Sequence, residues 1–567
     1  MTQARDEIRF QVIWSNLIAI VEEQARTLMR TAFSPVVRDS GDLSAALFDR
    51  AGNMLAQAQT GTPGHVNSTV AAVPQMLAVY PAETLEEGDH LITNDPWIAS
   101  GHVHDITVTS PVFRDGRVIG FFACTCHQLD IGGRGQGPDG ASVFEEGLAI
   151  PVMKLMRRGV VNDDLMRMIR SNVRTPDEVE ADILSYVAAN EASAQVLVDA
   201  VALLGLDDLE EVGAEILARS RDAMIAEIRK LPKTSATNTI TLDAFGTPIT
   251  ITCTLTIRED EVVLDFDGTS PSHPKGINLV YNYTNAYASF GARCIIGAAV
   301  PNNSGSLSTV RVVAPEGSIL NVQRPNPVSA RHIIGQFLPE AVLGCLAQIL
   351  PDKVPAEGSA GLWGIQLRGG PEIARQFPGD WTGPAWETLF FNAGGGGARP
   401  MADGLSTTAF PSGVRAMPVE VVESHAPIVL WKKELRPDSA GDGTYRGGYG
   451  QSIELATRDG SPVALFAMFD RTTVQAQGRQ GGTPGAMGAL ALASGAGLQP
   501  KGFQTIAPGE RLCFEVPGGA GFGDPGGRDP QARAQDIRAG LETGKDGETR
   551  KDGKTGSGDI VAPDAAP

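Results

Sequence analysis

The sequence predicts an α+β protein: an N-terminal mixed α/β region with a helical segment, then a larger β-rich region and a disordered C-terminal tail. Three observations carry this. Residues 7–31, "EIRFQVIWSNLIAIVEEQARTLMRT", set Phe10, Ile13, Leu17, Ile20 and Val21 on one helical stripe. From about residue 237, "NTITLDAFGTPITITCTLTIREDEVVLDFDGT" is β-branched and alternating, as strands are. After about residue 530, "LETGKDGETRKDGKTGSGDIVAPDAAP" lacks aromatics and spaced large apolar residues, so it cannot form a core. These shifts divide the chain into residues 1–232, 233–530 and 531–567.

The elements follow in order. After the first helix, "DLSAALFDRAGNMLAQA" reads as two short strands around a hairpin-like loop at residues 49–53. Residues 106–113 and 118–126 are strand-like, and Asp115 with Gly116 between them is a strong two-residue turn signal. Residues 161–232 are mostly helical. Thr175 is cap-like, Pro176 takes the first helical position, and acids fill the first turn. Glycine and proline then punctuate the β-rich region as far as "VPGGAGFGDPGGRDP".

Bulk properties set the context. The 567 residues are 42% hydrophobic and 20% charged, ordinary for a soluble globular chain of two or three domains. A formal net charge of −19 argues against nucleic acid or an anionic membrane as a general partner. The N-terminus "MTQARDEIRF" lacks a signal-peptide layout, and no apolar run approaches the roughly 20 residues that span a bilayer. Six cysteines in so long a chain do not make a disulfide scaffold; Cys124 and Cys126 read as strand packing. A reducing cytoplasm is the expected location. Two glycine-containing stretches fail as nucleotide sites. "GKT" at 553–555 has Glu548 where a phosphate loop needs glycine, and the glycines at 394–397 lack a strand–loop–helix context.

Chemistry concentrates in "SGHVHDIT" at 100–107 and "CHQLDIGG" at 126–133, which repeat a His-x-x-Asp spacing. A regular hairpin closed by Asp115 and Gly116 sets His104 opposite His127, Asp105 opposite Cys126 and Asp130 opposite Gly101. Asp105 then points away from the two histidines unless a twist or bulge brings the groups together. Mixed imidazole and carboxylate groups suit zinc, manganese or iron(II), and an open coordination position could activate water. The alternative is that these groups only hydrogen-bond loop backbone at the hairpin end. Spacing leaves both open.

"NDPWIASGHVHDITVTSPVF", "CHQLDIGG" and "FEEGLAIPVMKL" together resemble the hydantoinase B/oxoprolinase family. "RDSGDLSAALFDRAGNMLAQA", "RSNVRTPDEVEADI", "LDFDGTSPSHPKGIN", "VPNNSGSLSTVRVVAPEGSILN", "ELRPDSAGDGTYRGGYGQ" and "VPGGAGFGDP" look like family segments in family order, so the likeness covers residues 5 to 527. The resemblance implies the B-type subunit of an ATP-dependent cyclic-amide hydrolase. A separate A-type ATPase chain binds ATP and phosphorylates the amide oxygen. The B-type chain, in a hetero-oligomer, hydrolyses the activated amide with a metal-bound water.

Carried over residue by residue, the resemblance makes Asp42, His102, Asp105 and His127 the metal ligands. His104, Gln128 and Asp130 become the catalytic candidates, with Asp130 either an alternate ligand or a group that orients an imidazole. His104 occupies the family's usual proline position, and Gln128 replaces a second histidine; a glutamine cannot act as acid or base. His65 is balanced between lining the pocket and structural bonding. Asp39 and Asp49 are expected in turns or at the surface, and Glu145 and Glu146 either supply a general base or cap and solvate. Two further readings stand beside the hydrolase: a component of an ATP-dependent ketone carboxylase of the acetone or acetophenone type, and a non-catalytic scaffold.

Overall fold

The computed structural model describes residues 2–543 and has the mixed helix and sheet content of an α+β protein. Its N-terminal part is built on one seven-stranded sheet. The strands are β1 (Leu43–Phe48), β2 (Met54–Gln57), β3 (His90–Thr93), β4 (Asp105–Arg114), β5 (Arg117–His127), β6 (Met153–Arg157) and β7 (Val160–Val161), in the order β2-β1-β5-β4-β3-β6-β7. Period-two alternation along β5 feeds two separate cores. Phe122, Cys124 and Cys126 join Leu17, Val21, Ile183 and Tyr186 under the helices Thr2–Thr31 and Pro176–Leu203. Phe121 and Ala123 pack with Val73 and Met76 of helix Pro63–Val79 on the other face. A sheet covered on both faces explains why all six positions of β1 are buried.

The β4–β5 hairpin closes as the sequence predicts, with Asp115 and Gly116 both at positive φ (52° and 75°). Its register is corrected further out. Arg114 pairs with Arg117 and Phe113 with Val118, but a bulge between Val112 and Phe113 then moves Val112 opposite Gly120. Beyond the bulge Asp105, not His104, lies opposite His127. One extra residue on β5 reverses which side chains share a face, so the carboxylate joins the imidazole instead of opposing it. Gly120 suits this point: a Cβ there would lie 2.6 Å from the Phe48 carbonyl oxygen of the neighbouring strand β1.

The remainder holds three four-stranded sheets. The first contains the hairpin Ser235–Ala244 and Thr247–Ile257 and packs against helices Tyr281–Arg293 and Leu338–Ile349. Its core is continuous with that of the N-terminal helices, running from Phe10 to Ala360 and taking in Met468. The other two sheets bury a second core that includes Trp363, Phe390, Ile453, Leu465 and Phe514. Within the described residues His332–Ile349 is apolar and long enough by composition to cross a membrane, yet 72% of it is buried inside the fold. Order extends past the expected start of the tail. Pro530–Arg538 is helical, and its Asp536 is held by Arg446 and Arg528. The rest of the tail, residues 544–567, lies outside the described residues.

Candidate metal centre

The β4–β5 hairpin sets Asp105 at the start of one strand and His127 at the end of the next, while the loop before β4 delivers His102. Among the described residues these three form a group whose ligand atoms all lie within 4.8 Å of one another, and all are buried. Asp105 is the hub. Its Oδ1 lies 2.8 Å from His102 Nε2 and 3.0 Å from His127 Nδ1. Its Oδ2 lies 2.9 Å from His65 Nε2, accepts from Arg331 Nη2 at 2.6 Å and accepts from the Ser100 hydroxyl. His65 enters from the first turn of helix Pro63–Val79, whose cap Thr62 accepts from the His65 N–H. On its other side, His65 Nδ1 stands 3.6 Å from Asp42 Oδ1.

The donor set fits a divalent cation. His102 Nδ1 bonds the Ser329 carbonyl at 2.9 Å, which requires the proton there and leaves Nε2 with the lone pair. Although close to Asp105, His102 Nε2 is not aligned for a hydrogen bond; like His127 Nε2 and Asp42 Oδ1 it is buried without a partner. Buried lone pairs left open this way are costly unless something binds them. Electrostatics agree. Burial and the Arg331 charge push His102 down to about 3, so its ring is neutral. Burial alone would raise Asp105, but His102, His65 and Arg331 outweigh it and hold the carboxyl well below the usual range. Burial likewise opposes charge on His65, and the carboxylates of Asp105 and Asp42 overcome it to raise its pKa.

These groups open on a cavity of about 50 Å³ between the N-terminal sheet and the second core. Asp42, His65, His102 and His127 line it together with Leu389 and Phe391. Tyr283 and Tyr287 complete it. Gly64 is required beneath those rings, because a Cβ there would meet Tyr283 Cε2 at 2.4 Å and Tyr287 Cε2 at 2.8 Å. Gly64→Ala is therefore expected to destabilise the fold by about 1–3 kcal/mol in chemical denaturation, the usual range for overpacking.

The four residues expected as ligands divide. His102, Asp105 and His127 converge, whereas Asp42 stands one imidazole away, beyond His65. His104 is buried behind the cluster, its ring stacked on His127 at 5.8 Å with both nitrogens unpartnered. Two expectations are corrected. Gln128 turns away and donates to the Tyr186 hydroxyl on helix Pro176–Leu203. Asp130 is consumed by backbone: it accepts from Gly132 N at 2.9 Å, from Thr175 N at 3.3 Å and from the Arg174 N–H, and its side chain pairs with Arg174 Nη1 at 3.0 Å. It braces a loop, as short acids do next to free N–H groups.

Asp49 closes its turn through Asn53, Asp39 pairs with Arg38, and Glu145 pairs with Arg134. Glu146 is not solvated: its N–H caps the short helix Val143–Glu145, and its side chain is buried and accepts from two backbone N–H groups across the fold. Sequence reasoning missed Arg331 and His332, both on the cavity wall. Burial and the adjacent Arg331 charge push His332 down to about 3. Their one signal was an Arg-His pair in "NPVSARHIIG", in a chain with eight histidines.

The chain's likeness to known proteins extends over this whole arrangement. The family model described as hydantoinase B/oxoprolinase matches residues 6–525. The B chain of a putative D-/L-hydantoinase from a Pseudomonas species is 27% identical, over 95% of this chain and 93% of that protein. The crystal structure of the ATP-dependent caprolactamase from Pseudomonas jessenii is similar with a TM-score of 0.85 and 26% identity, covering 94% of each chain. The nucleotide-free structure of acetone carboxylase shares the fold with a TM-score of 0.83, at 22% identity and over 96% of this chain and 79% of that one.

Proposed function

The chain belongs to the hydantoinase B/oxoprolinase family, and on that premise we propose that it is the B-type subunit of an ATP-dependent cyclic-amide hydrolase. An A-type partner binds ATP and phosphorylates the amide oxygen, and this chain completes hydrolysis. The relatives named as a hydantoinase and a caprolactamase point to rings of the hydantoin or lactam class as substrates. The division of labour has a chemical reason. An unstrained amide carbon is a poor electrophile, and phosphorylation of its oxygen leaves an imidate carbon open to water; the ring C–N bond then breaks with the nitrogen taking a proton, and a second water releases phosphate from the resulting acyl phosphate.

His102, Asp105 and His127 would hold a divalent cation, and Asp42 stands beyond them, against His65. When bound, zinc, manganese or iron supplies a Lewis acid and lowers the pKa of water at the site. The protein's own groups do the rest. Ser329 fixes the His102 tautomer, and Arg331 with Ser100 fixes Asp105. His65, between Asp105 and Asp42, is the group placed to hold a proton beside the reacting atoms. Leu389, Phe391 and the two tyrosines exclude bulk water.

The observation that carries this reading is the convergence of three buried ligand side chains with the histidine Nε2 atoms open. Co-expression with the candidate ATPase partner, followed by a screen of five- and seven-membered cyclic amides, tests it. ADP release that depends on one such amide is expected. Absence of release with every ring, alongside bicarbonate-dependent turnover of a ketone, would replace the hydrolase with a carboxylase.

A further inference from the structure

We infer that Glu146 is a positioning residue for the metal centre: its carboxyl clamps the backbone at residues 328–331, and that segment aims both His102 and Asp105. The inference rests on the metal reading above and goes beyond its ligands. Glu146 Oε1 accepts from Val328 N at 2.6 Å and from Ser329 N at 2.8 Å. The same Ser329 gives its carbonyl to His102 Nδ1 at 2.9 Å. Two residues on, Arg331 reaches Asp105 Oδ2 at 2.6 Å and the Ser100 carbonyl at 2.5 Å. One short segment thus supplies outer contacts to two of the three ligands, and Glu146 holds the N–H groups at its start. Ala330 N, between them, is held by the Gly276 carbonyl at 2.7 Å, so the segment is fixed at each residue. Outer contacts of this kind set imidazole orientation and basicity.

The clamp works with a neutral carboxyl. Burial pushes Glu146 up to about 8, against the two backbone bonds, so near neutral pH it carries its proton. The other oxygen, Oε2, is buried without a partner. Glu146 also lines a second cavity, of about 210 Å³, formed with the glycine-rich loop at residues 133–140 and the side chains of Arg368 and Phe466. Gln136 of that loop lines the metal cavity while Gly135 and Gly137 line the second one. Glu146 therefore sits where the loop dividing the two cavities meets the segment behind His102. Glutamine reproduces a neutral acceptor at Oε1; aspartate withdraws it by one methylene; alanine removes it.

The test is a Co²⁺ titration of the purified chain, read by visible absorption, for the wild type, Glu146→Gln, Glu146→Asp and Glu146→Ala, with Glu145→Ala as a neighbouring control. We expect Glu146→Ala and Glu146→Asp to bind Co²⁺ about 10–100-fold more weakly, with a shifted ligand-field spectrum. Glu146→Gln and Glu145→Ala should keep the wild-type spectrum and affinity. Wild-type affinity and spectrum in both the alanine and aspartate variants would overturn the inference. If Glu146→Ala does not fold, the aspartate variant decides alone. A wild-type chain that binds no Co²⁺ overturns the metal reading itself, a different result from variants that match a binding wild type.

Discussion

Asp105→Asn is expected to abolish metal retention and amide-dependent turnover together. The side chain touches His102, His127, His65, Arg331 and Ser100, with no exposure to solvent. Asparagine keeps the volume but removes the negative charge that Arg331 and His65 face. Arg331 and His65 are then left buried beside each other without their shared counter-ion. Removing one partner of a buried pair costs on the order of 3–5 kcal/mol, so the midpoint of chemical denaturation should fall as well. The cation loses its one carboxylate within the cluster, and turnover with the ATPase partner should drop by roughly 10³-fold or more, as expected when a metal's contribution is lost. Metal content by elemental analysis, ADP release and denaturation check the three effects separately. A variant that keeps stoichiometric metal and wild-type turnover would remove Asp105 from the site.

Arg331→Met carries the second large effect, at a residue that no short motif announced. Arg331 is a fork: Nη2 bonds Asp105, Nε bonds the Ser100 carbonyl, and the guanidinium stacks over the Tyr283 ring at 4.1 Å. Methionine fills the volume and loses both bonds. Asp105 Oδ2 then has only His65 and Ser100, and the carboxylate is free to rotate away from His102 and His127. Turnover should fall about 10–100-fold, the usual range for an outer contact to a metal ligand, with about 3–5 kcal/mol lost from stability. Arg331→Lys should not restore activity, because a point charge cannot make two directed bonds at once. Full activity in the lysine variant would show that only the charge matters.

What the sequence made legible follows from the range of each interaction. Local signals were sufficient for the hairpin, since Asp115 and Gly116 adopt positive φ for reasons contained in two residues. The helical stripe of Phe10, Leu17 and Val21 and the alternation after residue 237 likewise need only their own periodicity. The register needed more. The bulge at Val112 and Phe113 lies next to Gly120, whose lack of a Cβ admits the Phe48 carbonyl of another strand, a contact no local pattern encodes. That bulge decides which residue faces His127. His-x-x-Asp spacing pointed to Asp130 as readily as to Asp105, yet Asp130 meets the free N–H groups at the start of helix Pro176–Leu203 and is used up there. Arg331 and Glu146 are far in sequence from what they hold, so burial and partners had to be seen before either could be read.

The central claim is that amide hydrolysis runs through a divalent cation held by His102, Asp105 and His127. Its most direct test is formation of the ring-opened hydrolysis product by this chain with its ATPase partner, after the B-type chain has been stripped of metal by chelation and then resupplied with manganese, zinc or iron in the presence of Mg²⁺-ATP. The account predicts that amide hydrolysis disappears on stripping and returns with one of those ions, with full restoration near one equivalent per chain. Undiminished hydrolysis by chain shown to be metal-free would contradict it.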